Sequence, residues 1–296
     1  MNSTVHIPVL LDEILTALDP QPGQHLVDGT AGGGGHLSHL AERVAPDGWV
    51  LGIDRDPKAI DRIQERLRGA PVKVACGNYT ELPTFLAEIE QPQVDGVLLD
   101  LGLSSDQLAD DTRGFSFNID GPLDLRFNPD AGEPAWRLLE RLSQEHLADL
   151  IYEFGEERFS RRIARAIVEV RRTAPVRTSH ELASLVQRCI PMRDRDKIHP
   201  ATRTFQALRI AVNQELDSLR RMLSKLPSLV VPGGRVAIIS FHSLEDRLVK
   251  DAFQQDPRWQ RLTKKPIIPS DQEIHSNPRS RSAKLRVAVR VADRTS

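Results

Sequence analysis

The chain has 296 residues, 40% apolar and 27% charged, enough for one large or two moderate buried cores, with no apolar run of membrane-spanning length and no basic-then-apolar signal pattern at its start. Two cysteines, Cys76 and Cys189, lie far apart without a C-x-x-C spacing, which argues against a structural zinc and suits a reducing, cytoplasmic compartment. The net charge of −1 conceals balances of −17 over residues 1–157, +9 over 158–209, zero over 210–256 and +7 over 257–296; the two basic blocks point to a polyanion, nucleic acid first, with solvated helix faces as the plainer reading.

His6 to Glu13 opens a short amphipathic helix in which Val9, Leu10, Ile14 and Leu18 share a face, packing beside the loop that follows. That loop organises the chain. An apolar run from His25 ends on Asp28 and breaks into Gly29-Thr30-Ala31-Gly32-Gly33-Gly34-Gly35-His36; a helix-length segment follows, then a second apolar run, Trp49 to Asp54, ending on another acid. This is a strand–loop–helix–strand unit that holds a nucleotide-like ligand at the carboxyl ends of parallel strands. Asp54 can accept bonds from both ribose hydroxyls. A dinucleotide fingerprint needs G-x-G-x-x-G, and counted from Gly32 or Gly33 its third glycine falls on Leu37 or Ser38. An acid at Asp28 would repel a pyrophosphate and suits the cationic amino-acid end of S-adenosylmethionine, so the charge placement favours a methyltransferase over a nicotinamide or flavin enzyme.

Asp56-Pro57 starts the next helix with a cap and a first-turn proline, and Ile60, Ile63 and Leu67 form its buried stripe. Val72 to Cys76 is a third strand, which makes Cys76 a core thiol; Tyr79 beyond it is either an adenine platform or a packed loop aromatic. A fourth strand, Val94 to Asp100, runs into Leu101-Gly102-Leu103-Ser104-Ser105-Asp106-Gln107, and in a doubly wound methyltransferase this strand end faces the methyl group. Residues 106 to about 210 then leave the pattern, with a loop from Asp110 to Glu133, a helix from Ser160 to Arg172, and a capping box at Thr178 and Glu181. One long helix is predicted after Pro200, because Phe205, Leu208, Val212, Leu216, Leu219, Leu223 and Leu226 recur at spacings of 3, 4, 4, 3, 4 and 3. Beside that stripe lie Arg203, Gln206, Arg209 and Asn213, which suit a solvated face or nucleotide contact equally. Arg235 to Ser240 is a fifth strand, followed by Phe241-His242-Ser243 and another helix. Leu285 to Val291 alternates as a half-exposed edge strand, preceded by a basic, hydroxyl-rich segment, Asn277 to Lys284, that holds Arg279 and Arg281 and has the composition of a phosphate-gripping loop.

Together these residues resemble the ribosomal RNA small-subunit methyltransferase H family, which methylates N4 of a cytidine in the decoding region. The likeness runs through the His6–Glu13 opening, the Asp28–His36 loop, Asp54-Arg55-Asp56, Asp100 through Gln107 and Arg113-Gly114-Phe115-Ser116-Phe117. It continues through His199 to Gln206, Ser240 through Arg247, and Asn277 through Arg286. Asp106 stands where the family usually has proline, and Leu125 and Phe127 replace methionines. The resemblance implies an α/β fold: a doubly wound, Rossmann-like class I methyltransferase sheet in two parts, 1–106 and 211–296, around an inserted helical substrate-recognition domain, 107–210. It implies S-adenosylmethionine held by Gly34, Gly35 and His36 at the methionine end, Asp54 on the ribose, Tyr79 on the adenine, and Asp100 and Gln107 near the reacting end. It also implies small-subunit ribosomal RNA as partner, in the assembled subunit, no membrane and no metal, and it leaves a homodimer open.

An exocyclic amine needs no covalent intermediate, consistent with neither cysteine lying in an active-site loop. Acceptors must take its N–H bonds and turn the lone pair toward the methyl; Asp100, Ser104 and Ser105 are the candidates, with His242 in reserve. Three alternatives compete. A DNA cytosine-N4 methyltransferase usually carries Asn/Asp-Pro-Pro-Tyr where Asp100-Leu101-Gly102 stands, a non-catalytic ribosome-assembly factor could lose the intact glycine loop, and an NAD enzyme needs the missing third glycine.

Overall fold

A computed structural model of the chain describes residues 8–117, 119–192 and 199–292; His6 and Ile7 of the opening motif lie outside them. Two units emerge, one of residues up to Gly102 together with those from Leu216 onward, the other of Leu103–Glu215. The expected divisions lay at 106/107 and 210/211. No helix of the described residues is long and apolar enough to cross a membrane.

The first unit begins with α1 (Leu11–Leu18), β1 (His25–Asp28), α2 (Gly35–Val44), β2 (Trp49–Asp54), α3 (Pro57–Arg66), β3 (Val72–Cys76), α4 (Leu82–Glu88) and β4 (Val94–Asp100). The second unit supplies α5 (Ser105–Ala109), α6 (Ala135–Arg141), α7 (Gln144–Gly155), α8 (Ser160–Val170), α9 (Ser179–Cys189) and α10 (Thr202–Asn213). From the second residue of α11 (Glu215–Leu229) the chain completes the first unit, with β5 (Val230–Ser240), α12 (Ser243–Gln255), β6 (Trp259–Arg261), α13 (Asp271–Ser276) and β7 (Lys284–Arg290).

The sheet has the order β3-β2-β1-β4-β5-β7-β6. The first five strands are parallel, and β7 runs antiparallel to both β5 and β6. Strand order reverses at β1, whose neighbours are β2 and β4, so their carboxyl ends open a crevice there. Register brings the acids to that edge, Asp28 lying opposite Gly52 on one side and Leu98 on the other. Consecutive strand residues enter opposite apolar layers: Leu26, Val50, Leu98 and Ile239 join one, and Val27, Leu51, Leu99 and Ile238 the other. This period of two, buried on both faces, is why these strands read as continuous apolar runs. α1 closes the first layer with Ile14 and Leu18. It begins two residues after Val9, because Leu10 takes a left-handed conformation, φ 54°.

In the second unit Ile163, Ala164 and Ile167 of α8 meet Leu182 and Val186 of α9 and Phe205 and Leu208 of α10 in one core. The capping box of α9 forms as spaced: the Glu181 N–H donates to Thr178 Oγ1 at 3.2 Å and the Thr178 N–H to Glu181 Oε2 at 3.0 Å.

Three expectations are corrected. The long helix is two helices, because Gln214 adopts φ 52°, ψ 40° and ends α10 before α11 begins. β7 is no edge strand: β6 covers it, and Arg286 and Arg290, which gave the alternation, are 8% and 6% exposed. Cys76 is exposed rather than a core thiol, because β3 is the strand at the sheet's edge.

Candidate active site

The loop after β1 is fastened to the strands on either side of it. The Gly29 N–H donates to the Leu98 carbonyl at 2.9 Å, and a Cβ at Gly29 would fall 2.5 Å from Leu99 Cδ2, so only glycine lies this close to β4. The Ala31 N–H reaches the Ile53 carbonyl at 2.9 Å. Gly34 precedes α2 at φ 77°, a conformation that glycine adopts without penalty.

The strand-end acids hold this loop from beneath. Asp28, 1% exposed, accepts the Thr30 N–H at 3.2 Å on Oδ1, with the Thr30 hydroxyl 3.5 Å from the same oxygen. That hydroxyl accepts the Asp100 N–H at 2.6 Å. Thr30 therefore ties the end of β1 to the end of β4, a role sequence reasoning missed although Asp28-Gly29-Thr30 puts a hydroxyl beside the acid. Asp54 accepts the Gly32 N–H on Oδ2 and the Asp56 N–H on Oδ1, both at 2.8 Å. Each carboxylate oxygen retains a second lone pair for a ligand hydroxyl. His36 is buried, its Nε2 2.9 Å from the Val9 carbonyl and its Nδ1 3.8 Å from Asp100 Oδ2. A carbonyl only accepts, so Nε2 carries a proton and donates, anchoring the segment before α1 to the loop.

Burial pushes the Asp28 carboxyl up to about 6; His36 and the Thr30 N–H pull it down, while Asp100 and Asp54 push it up further. Burial likewise raises Asp54 above the usual carboxylate range, against the pull of the Asp56 and Gly32 N–H groups. Asp54 and Asp100 both raise the cost of ionising Asp28, so the three acids form a patch of negative field whose natural complement is a cation.

The sequence profile of the MraW methylase family matches residues 3–291. The chain belongs to that family. A relative from Rhodopirellula baltica named ribosomal RNA small subunit methyltransferase H is 50% identical across 97% of this chain and 92% of its own. One of the same name from Deinococcus deserti is 50% identical across 98% and 95%. Among solved structures, an rRNA methylase from Streptococcus thermophilus overlays 95% of this chain and 94% of its own at a TM-score of 0.45 and 11% identity.

The other site candidates of this methylase fall in distinct places. Tyr79 opens a 3-10 turn after β3, half-buried against one apolar layer, with its Cβ bordering Gly29. Gly35 and His36 begin α2, buried at the end of the loop. Ser104 and Gln107 form a capping box on α5: the Gln107 N–H donates to Ser104 Oγ at 3.1 Å and the Ser104 N–H to Gln107 Oε1 at 3.0 Å. Ser104 keeps its hydroxyl proton to donate, and Ser105 opens α5. His242 caps α12, its Nδ1 3.4 Å from the Glu245 N–H and its Nε2 3.1 Å from Glu245 Oε1. Its Nδ1 is engaged with its own helix, while the buried Nε2 makes no hydrogen bond to any described residue.

Two RNA candidates are corrected outright. Asn213 is 2% exposed; its amide oxygen accepts the Phe127 N–H at 2.8 Å, and its amide nitrogen donates to the Leu125 and Arg209 carbonyls at 2.7 and 2.9 Å. It braces a loop. Arg209 is held in a two-pronged pair with Glu215, both bonds 2.9 Å. Arg203 is exposed, and Arg279 and Arg281 stand exposed on the turn Pro278–Ser282.

Proposed function

We propose that the chain transfers a methyl group from S-adenosylmethionine to the N4 amine of a cytidine in the decoding region of small-subunit ribosomal RNA, in the cytoplasm, with the assembled small subunit as substrate. One observation carries the cofactor half: Asp28, Asp54 and Asp100 share one field around a glycine loop, which suits a ligand with a positive charge and a ribose and disfavours a pyrophosphate. The family carries the RNA half.

S-adenosylmethionine, when bound, supplies an electrophilic methyl on a sulfonium sulfur. Asp54 presents two oxygens for a ribose diol, and its contacts to the Gly32 and Asp56 N–H groups fix their direction. Asp100 sits at the strand end nearest the loop, oriented by the Gly102 N–H at 3.4 Å and facing His36. Its role is to accept an N–H of the cytosine amine, turn the nitrogen lone pair out of conjugation and take up the proton released as nitrogen gains the methyl. Positioning and exclusion of water supply most of the rate. The base must leave its stack to be reached. A homodimer is compatible with this reading, and light scattering reads it directly.

The test is mass spectrometry of small-subunit RNA from cells with and without the gene, digested to nucleosides and mapped by fragment. One cytidine should lose a base-borne methyl group when the gene is absent. A methyl lost from a ribose, from another base, or from DNA cytosine instead would overturn the assignment.

A further inference from the structure

Five exposed arginines of the basic block at residues 158–209 gather on and around α8, whereas α10 exposes Arg203 alone. Arg158 precedes α8, Arg161, Arg162 and Arg165 lie along it, and Arg172 follows its last turn; all five are exposed. At about 1.5 Å per residue they mark out roughly 21 Å. The opposite face is the one that Ile163, Ala164 and Ile167 bury.

These arginines differ from their neighbours. Arg113, Arg126, Arg141, Arg177 and Arg209 of the same unit each meet a carboxylate, and Arg171 donates to the Leu139 and Leu142 carbonyls. The side chains of Arg161, Arg162, Arg165 and Arg172 form no salt bridge or hydrogen bond with any described residue. Their placement also works against the helix. α8 has no acid in its first turn, where the backbone dipole disfavours the cations Arg161 and Arg162. Arg161 and Arg165 are like charges four apart on the helix, where they repel. Glu169 is the sole acid within α8. Arg161, Arg162, Arg165 and Arg172, which pair with no carboxylate of the described residues, are suited to an external polyanion. Every cation on α8 is arginine, whose planar fork matches a phosphate with two bonds where lysine offers a point charge.

We propose that Arg161, Arg162, Arg165 and Arg172 form a phosphate-gripping ridge that seats the RNA backbone on the inserted unit, fixing position without reading bases. This deepens the RNA reading given above and rests on it. The ridge takes the place of Arg209 and Asn213 as the contact surface of this block, since those two are committed within the fold.

The test measures binding of small-subunit particles across a salt series by the full chain and by the triple variant Arg161→Gln, Arg165→Gln, Arg172→Gln. All three positions are exposed and glutamine is a good helix former, so circular dichroism should match wild type. Wild-type affinity should fall linearly with log salt, and the triple variant should flatten that slope by about three units, one per lost phosphate contact. A second variant with lysine at the three positions should recover most of the slope, and S-adenosylmethionine affinity should be equal in all three proteins. A wild-type slope retained by the glutamine variant would overturn the ridge and leave the substrate reading standing. Absence of particle binding by wild type itself would overturn the substrate reading, and the ridge with it. Equal capture of polyglutamate and RNA by wild type, lost together in the variant, would reassign the ridge to an acidic polypeptide.

Discussion

Asp28 is a buried acid whose native state prefers its proton. Its carboxyl titrates near 6 when folded and near 3.8 when not, so between those values the folded chain holds a proton that the unfolded chain has released. Stability therefore falls as pH rises through this window and is flat above it, the ionised form being disfavoured by about 3 kcal/mol. Asp28→Asn keeps an acceptor for the Thr30 N–H and removes the titration. Urea unfolding without ligand should show the variant more stable than wild type at pH 7.5 and equal to it at pH 4, while S-adenosylmethionine binds it more weakly. A stability difference that does not grow between pH 4 and 7 would refute the titration. The other two acids divide the work differently. Asp54→Ala should lose at least tenfold in cofactor affinity, about 1.4 kcal/mol, whereas Asp100→Asn should keep affinity and lose about a hundredfold in single-turnover rate; calorimetry and rapid quench separate the two. The acids themselves were legible in the sequence because each closes an apolar run. Thr30 was not, since a hydroxyl between an acid and glycines signals a tight turn as readily as a tie between two strands.

At the scale of elements, sequence patterns served well where burial alone set them and misled where buried polar groups mimicked exposed ones. The stripe from Phe205 to Leu226 is buried on both sides of the joint at Gln214, but in two cores, Phe205 and Leu208 in one and Leu219, Leu223 and Leu226 in the other. Periodicity does not register one residue turned left-handed, and no glycine marks the spot. That residue is strained: glutamine at φ 52° carries a penalty on the order of 1 kcal/mol that glycine avoids. Gln214→Gly should raise unfolding stability by about that amount and Gln214→Ala should not, as measured in urea; a loss of stability in the glycine variant would count against the joint. β7 misled for a related reason. Its arginines alternate like solvent-facing residues, yet Arg286 pairs with Asp246 at 2.5 Å and Arg290 donates to the Pro227 carbonyl at 2.8 Å. The Asp246 carboxyl is held below the usual range: burial would raise it, and Arg286, then Lys284, outweigh that.

Across the whole molecule, the charge segregation read from composition survives folding, since the −17 segment supplies the acids of the loop and the +9 segment supplies α8. The insertion has a further consequence, for synthesis. β4 and β5 are hydrogen-bonded neighbours, yet roughly 130 residues separate them along the chain, so their pairing requires closure of a very long loop. At about 5–20 residues per second, translation leaves β1 to β4 as half a sheet for on the order of ten seconds, with the β4 edge unpaired and apolar on both sides. The second unit has its own core and is made whole during that interval. A nascent chain ending at Glu215 should therefore hold a protease-resistant block from Leu103 onward while the preceding strands are cut, and a chaperone that covers apolar strand edges should bind it until α11 and β5 emerge. Uniform digestion of such a chain, or uniform protection, would show that the two units fold only together.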